Sequence, residues 1–227
     1  MIGFTLTLAR RLAALALVLV AALPAACAAV AGEQRPVIAV GDLHGDYDAY
    51  IAILGDAGLI DARGKWRGGE ATLVQLGDVP DRGPDTRKIV EHLMALEKQA
   101  KRKGGRVVAL VGNHEAMNVL GDLRYVTAEE YAAFADAGSS KRRDAHFKAH
   151  FTELAAFYRK KDPGLDDAAV RTAYDKDVPL GYLEHRAAWS PKGKFGAWVA
   201  GHDAVVVIGD TLFVHGGISA AYAQQTI

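Results

Sequence analysis

Short apolar runs closed by glycine alternate with helical periodicity through the first half of the chain. Pro36-Val37-Ile38-Ala39-Val40, bounded by proline and Gly41, predicts a buried strand. From Asp46 to Gly58, Tyr47, Tyr50, Ile51 and Leu54 recur at helical spacing, with Asp46 placed as the N-cap. Ala71 to Leu76 predicts a second strand, ended by Gly77. From Pro84 to about Lys103, Ile89, Val90, Leu93, Met94 and Leu96 share one face, and Gly104-Gly105 stops the helix. Val107 to Val111 is a third strand, again followed by glycine. This rhythm is that of a parallel sheet with crossover helices. Such sheets place their ligands beyond the C-terminal ends of the strands, where the three glycine-led segments fall.

The second half reads differently. Residues from about 116 to 200 are mostly helical, with Phe147, Phe151, Leu154, Phe157 and Tyr158 forming an amphipathic stripe. The flanking runs Lys141-Arg142-Arg143 and Arg159-Lys160-Lys161 are expected to be solvated helix ends rather than a binding patch. Asp162-Pro163-Gly164 is a turn. Val205 to Ile208 and Thr211 to Val214 predict two strands joined at Gly209-Asp210, a hairpin signal.

The N-terminus changes what counts as folded chain. Arg10-Arg11, the apolar run Leu12 to Leu23, Pro24 and the site Ala29-Val30-Ala31 have the plan of a secretory signal peptide over residues 1–31. An uncleaved anchor is the less favoured reading, since Leu12 to Ala31 is about the length that spans a bilayer. A twin-arginine leader and lipidation of Cys27 are minor options. The expected protein is thus exported, periplasmic or secreted, with no stable membrane contact after cleavage. Cys27 is the single cysteine of the chain, so the mature protein would carry no disulfide and no thiolate chemistry. With 27 basic and 27 acidic residues the balance is near neutral, and no global field for nucleic acid or anionic membrane is present.

Candidate chemistry lies in four motifs: Gly41-Asp42-Leu43-His44-Gly45, Gly77-Asp78-Val79-Pro80-Asp81-Arg82-Gly83, Gly112-Asn113-His114-Glu115 and His215-Gly216-Gly217. Asp42 and His44 are one residue apart, so in an extended loop both side chains point the same way. A carboxylate and an imidazole suit zinc, iron or manganese. Asp78 can bridge two ions, Asn113 offers a neutral oxygen and His215 a further imidazole. Two metals about 3.5–4 Å apart can hold a hydroxide and clamp a phosphoryl group for in-line attack. His114 could protonate a leaving oxygen, with Asp81 fixing its tautomer. Arg82 offers a planar fork for two phosphate oxygens. One four-residue pattern arises by chance in about one chain per thousand of this length, so three in order after strands exclude coincidence. His92, His146, His150 and His185 are expected in core or surface roles, and His202 is the remaining histidine worth following as a ligand.

On these motifs the chain resembles the calcineurin-like metallophosphoesterases of the phosphoprotein phosphatase type. The stretch from Gly112 to Val126 looks more specifically like the bacterial Shewanella-like phosphatases. The resemblance covers about residues 36 to 126 and 200 to 219, and it implies an α/β fold, the α/β/β/α metallophosphoesterase sandwich. The domain would run over 32–227, with the helical insert at about 116–200. The implied activity is metal-dependent phosphomonoester hydrolysis by an activated hydroxide, on phosphorylated protein or peptide residues, with some relatives preferring phosphotyrosine. Asp42, His44 and Asp78 would hold one metal, and Asp78, Asn113 and His215 the other. His114 would be the acid, Asp81 its partner, and Arg82 and Asn113 would contact substrate. The family pattern carries a further histidine, a second arginine and closing strands downstream of His-Gly-Gly. These have no counterpart before Ile227, so an incomplete second metal site and an exposed sheet edge are expected. A dinucleoside polyphosphate hydrolase shares the same core motifs, and a non-catalytic metal-binding module is the alternative from another class. The insert, lying between Asn113 and His215, is expected to roof the site.

Overall fold

The computed structural model describes residues 35–224, so the leader with Arg10, Arg11, Cys27 and the cleavage site lies outside the described residues. Among the described residues no helix is long and apolar enough to cross a membrane. Strands β1 (Val37–Val40), β2 (Thr72–Gln75) and β3 (Arg106–Ala109) form a parallel sheet in the order β1-β2-β3. Val37 pairs with Thr72, and Thr72 with Arg106, so the three strand ends stand level. Crossovers run through α1 (Tyr47–Asp56) and α2 (Thr86–Lys101). The Asp46 carboxylate caps α1, accepting from the Ala49 N–H at 2.9 Å.

The alternation of β2 builds the layers. Leu73 faces the helices and packs with Leu54, Ile89, Val90, Leu93 and Leu96. Val74 faces the other way and joins Val108 and Leu110 against Val206, Ile208 and Phe213. Those last three lie on β4 (Val205–Ile208) and β5 (Thr211–Val214), an antiparallel hairpin. Helix, parallel sheet and hairpin are thus stacked, and each buried leucine or isoleucine contributes about 1.5–3 kcal/mol. The outer side of the hairpin leaves Val207 and Leu212 exposed.

Helices fill residues 113 to 199: α3 (Asn113–Leu120), α4 (Ala128–Phe134), α5 (Ser139–Ala149), α6 (Phe151–Lys161), α7 (Asp167–Asp177), α8 (Tyr182–Trp189) and α9 (Lys194–Val199). They divide into two groups. Phe134, Trp189, Phe195 and Val199 extend the main core. Phe147, Ala155, Tyr158, Val170 and Tyr174, from α5 to α7, make a core of their own.

One expectation is corrected in this region. The amphipathic stripe is not one face, because the helix breaks at His150 and Phe157 is left half-exposed beneath the Lys161 ammonium. The basic runs are largely exposed, as expected, and their arginines also find partners on neighbouring segments. Arg142 binds Asp136 and Glu184, Arg143 reaches Asp175 at 3.3 Å, and Arg159 reaches Asp167 at 2.6 Å. Helix-to-helix packing supplies partners that the linear charge pattern does not show.

Candidate active site

The loops after β1, β2 and β3 meet on one rim, and the loop after β2 organises the other two. Its Asp78 carbonyl accepts from the Leu43 and His44 N–H groups at 3.0 and 3.1 Å, and its Val79 carbonyl from Gly45 at 2.9 Å. Gln75, buried at the end of β2, accepts from Gly77 N–H and donates to the Gly41 and Gly77 carbonyls. Glu115 takes three backbone N–H groups, from Asp78 (2.9 Å), Val79 (2.8 Å) and Gly112 (2.8 Å). Burial pushes its carboxyl above the usual range, against the three N–H groups that favour its charge.

Close approach explains the motif glycines. A Cβ on Gly83 would lie 2.4 Å from the His44 carbonyl oxygen, and one on Gly112 would lie 2.3 Å from Asp78 Oδ1. Only glycines let these loops touch. Among the described residues, the non-glycine positions with left-handed backbone are His44, Asp78, Asp81 and Arg82, with φ of 45°, 57°, 73° and 67°. Each such conformation costs about 1–3 kcal/mol unless its surroundings enforce it. His44 also corrects the expected extended loop: it turns back toward Asp42 by positive φ, not by strand-like alternation.

The donors converge as follows. His44 Nδ1 lies 3.0 Å from the Pro80 carbonyl, and His215 Nδ1 lies 3.1 Å from the Leu76 carbonyl. A carbonyl only accepts, so Nδ1 donates in both rings, and the neutral tautomer then offers a lone pair at Nε2. His44 Nε2 is buried without a hydrogen-bond partner, 3.6 Å from Asp42 Oδ2 and 3.9 Å from Asp78 Oδ2. His215 Nε2 stands 3.2 Å from both Asp78 Oδ2 and Asn113 Oδ1. Lone pairs aimed at carboxylate and amide oxygens repel one another until a cation lies between them, so this donor set fits divalent metal.

Two carboxylate and imidazole groupings share Asp78: Asp42, Asp78 and His215, with ligand atoms within 4.8 Å of one another, and His44, Asp78 and His114 likewise. Asp42 stands between the two, since its other oxygen lies 3.8 Å from His215 Nδ1. The sharing of Asp78 is the arrangement two neighbouring ions require.

Beside the donors lies a proton-handling pair. His114 is buried, with Nδ1 2.5 Å from Asp81 Oδ2 and Nε2 3.2 Å from Arg82 Nη2. Guanidinium only donates, so the Nε2 lone pair accepts from Arg82 while Nδ1–H faces the carboxylate. Asn118 donates to the second Asp81 oxygen at 2.9 Å and to the His114 carbonyl. The Tyr125 ring, 44% exposed, lies 5.1 Å from the His114 ring and 5.7 Å from the Arg82 guanidinium carbon. Its carbonyl accepts from the Arg82 N–H at 3.0 Å.

All eight residues anticipated from the motifs therefore lie on this rim. His202 does not join them: its Nε2 is 3.1 Å from Glu97 and its ring packs on Trp198. Sequence reasoning assigned no role to Glu115, Gln75, Asn118 or Tyr125. Glu115 lies within a recognised motif, Gln75 two residues before another and Asn118 three residues after Glu115, and this nearness was the one signal that could have found them.

The family model described as calcineurin-like phosphoesterase matches residues 35–227. Shewanella-like protein phosphatase 2 of Arabidopsis thaliana is 36% identical over 201 residues, which is 85% of this chain and 49% of that protein. Shewanella-like protein phosphatase 1 of Plasmodium berghei is 38% identical over 126 residues, 55% of this chain and 33% of the relative. The crystal structure of a cold-active protein-tyrosine phosphatase from a psychrophilic Shewanella superposes with a TM-score of 0.56 at 28% identity, covering 83% of this chain and 44% of that one. The chain thus spans about half the length, or less, of these relatives.

Proposed function

The chain belongs to the calcineurin-like phosphoesterase family, and from that premise we propose that it hydrolyses phosphomonoesters on protein or peptide side chains. The observation that carries the reading is the pair of donor groupings joined through Asp78. Asp42, His44, Asp78, Asn113 and His215 would hold two divalent ions (manganese, iron or zinc). When bound, such ions supply a nucleophile at neutral pH and charge neutralisation for the phosphoryl group.

The remaining work falls to the chain's own side chains. Arg82 offers parallel N–H donors to phosphate oxygens, and engaging them withdraws its donor from His114 Nε2. That nitrogen then takes a second proton from solvent water, with Asp81 balancing the charge through Nδ1, and delivers it to the leaving oxygen. Asn113 adds a polar contact at the same edge. The names of the relatives support protein phosphoesters as the substrate class. Export, to periplasm or medium, belongs to the same proposal and rests on the apolar run Leu12 to Leu23 behind Arg10-Arg11.

The test uses the full chain with manganese. Phosphotyrosine and phosphoserine peptides are compared with diadenosine tetraphosphate, and bound metal is measured by mass spectrometry. Turnover of peptides, together with loss of metal and of all turnover in Asp78→Asn, is the expected result. Turnover of the nucleotide alone refutes the substrate class. Full metal and full activity in Asp78→Asn refute the shared-carboxylate site.

A further inference from the structure

Asp81 and His114 need a holder that the reaction above leaves unnamed. Asp81 is fully buried and sits on left-handed backbone, with φ of 73°. Such a residue stays in place only where its surroundings enforce it. One of its carboxyl oxygens, Oδ2, faces His114 Nδ1 at 2.5 Å. The other, Oδ1, faces Asn118, a fully buried residue one helical turn after His114 on α3.

The Asn118 side-chain nitrogen carries two hydrogens, and both are spent on this pair. It donates to Asp81 Oδ1 at 2.9 Å and to the His114 carbonyl at 3.0 Å. One amide thus grips the carboxylate of one member and the main chain of the other. The reverse amide orientation would set Oδ1 against two acceptors, so the partners decide which way the group points. Asn118 Oδ1 is left buried without a hydrogen-bond partner, while both donors serve the pair. An amide also brings no charge. A lysine here would compete with His114 for the Asp81 carboxylate, and an aspartate would set two carboxyl groups in one dry pocket. Asn118 is itself held from the helical insert, since Arg186 on α8 donates to its carbonyl.

We propose that Asn118 is a positioning residue, which through Asp81 fixes the His114 ring in the orientation that delivers a proton to the leaving oxygen. The inference rests on the proposed role of His114 as the acid. Because Asn118 acts through that acid, its weight depends on how much the leaving oxygen needs a proton. The serine alkoxide of a phosphoserine peptide cannot leave without one, whereas 4-nitrophenolate can. A residue that merely packs α3 against the rim would affect both esters alike.

The experiment compares a phosphoserine peptide with 4-nitrophenyl phosphate, using the full chain with manganese. Asn118→Ser is the variant of choice: its hydroxyl can bond the carbonyl four residues back, that of His114, while the shorter side chain gives up Asp81. On the peptide, kcat should fall by about 10- to 100-fold at unchanged KM, a part of the roughly 100- to 10,000-fold that positioned proton transfer contributes. On 4-nitrophenyl phosphate it should stay within about threefold of wild type. Asp81→Asn should show the same selective loss, and adding Asn118→Ser to it should cost no more than about twofold further. Equal falls on both esters, or losses that multiply in the double variant, overturn the proposal. Should the serine variant not fold, Asn118→Thr makes the same backward bond, fills more of the space and takes its place. A crystal structure of the variant needs no turnover: the Asp81 carboxylate should swing out of hydrogen-bond reach of His114 Nδ1. A carboxylate still 2.5 Å from that nitrogen overturns the proposal. A wild-type chain that hydrolyses neither ester refutes the functional reading instead, and the crystal structure still decides this one.

Discussion

At the ends of the parallel strands four non-glycine residues hold left-handed backbone, while among the described residues of α3 to α9 no non-glycine residue does. The rim is fixed through the main chain: loops touch at Gly45, Gly83, Gly77 and Gly112, and Glu115 ties three N–H groups together. The outer helices are fixed through side chains. Their small aromatic core is ringed by partly exposed ion pairs such as Arg142 with Asp136 and Arg171 with Asp144. Main-chain fixing tolerates no added atom but places ligand atoms accurately. Side-chain fixing tolerates substitution and places little. Chemistry that needs donors within a few ångströms belongs on the first kind of scaffold.

The sharpest way to break this comparison is to add one carbon in each region. Gly112→Ala sets a Cβ 2.3 Å from Asp78 Oδ1 and 2.5 Å from the Asp78 nitrogen. The shared carboxylate must move, and displacement near 1 Å costs about 100-fold in kcat. Gly164→Ala, in the turn between α6 and α7, meets only Asp162 Oδ1 at 3.5 Å. It should leave kcat within about twofold and stability within about 0.5 kcal/mol. Steady-state kinetics on matched, folded samples check both. Equal losses in the two variants would show that the rim is no more tightly fixed than the outer helices.

A smaller effect separates the two regions by pH. Glu130 has its folded value raised from 4.5 to about 8, so between those limits the unfolded chain loses a proton that the folded chain keeps. Stability therefore falls as pH rises through that window. His185 is lowered from 6.5 to about 3, so its contribution is lost as pH falls below 6.5. Above pH 6.5 the His185 contribution is largely complete, and the Glu130 slope adds to that of the rim carboxyl Glu115, which is raised as well. Glu130→Gln should flatten the decline in urea midpoint between pH 6.5 and 8. An unchanged slope would mean that the inner helices carry no such buried acid.

The rim was legible in the chain because glycine-flanked ligands sit at fixed offsets after apolar runs. Asp42, His44, Asp78, Asn113 and His215 could be named without knowing how far the loops bend. The bend itself was not legible: positive φ at His44 and Asp78 is enforced by tertiary hydrogen bonds, which leave no local pattern. Helical periodicity gave α1 and α2 to within a few residues and missed the break at His150. Periodicity reports which face is apolar and carries no information on what that face meets. For the same reason nothing in the pattern around Glu130 signals that this carboxyl lies fully buried. The exposure of the basic runs was legible, but not their partners, because a charge has no fixed range along the sequence and can pair one helix away.

The smallest expected effect tests the other side of the comparison. Arg171 donates to Asp144 at 2.5 Å and to Asp175 at 2.8 Å, and its guanidinium carbon lies 5.0 Å from the centre of the Phe147 ring. The two carboxylates hold its proton more tightly than usual. With the side chain 30% exposed, solvent screens both pairs, and the stacking on Phe147 is the better-shielded contact. Arg171→Ala should cost about 1 kcal/mol, read as a lowered urea midpoint, with part of the loss persisting at high salt because packing on Phe147 is not screened. Turnover of folded protein should stay at the wild-type value, since α5 to α7 carry none of the ligands or the proton-handling pair. A fall in kcat without unfolding would mean that this outer core also positions the rim, and the division between main-chain and side-chain fixing would then fail at its weakest point.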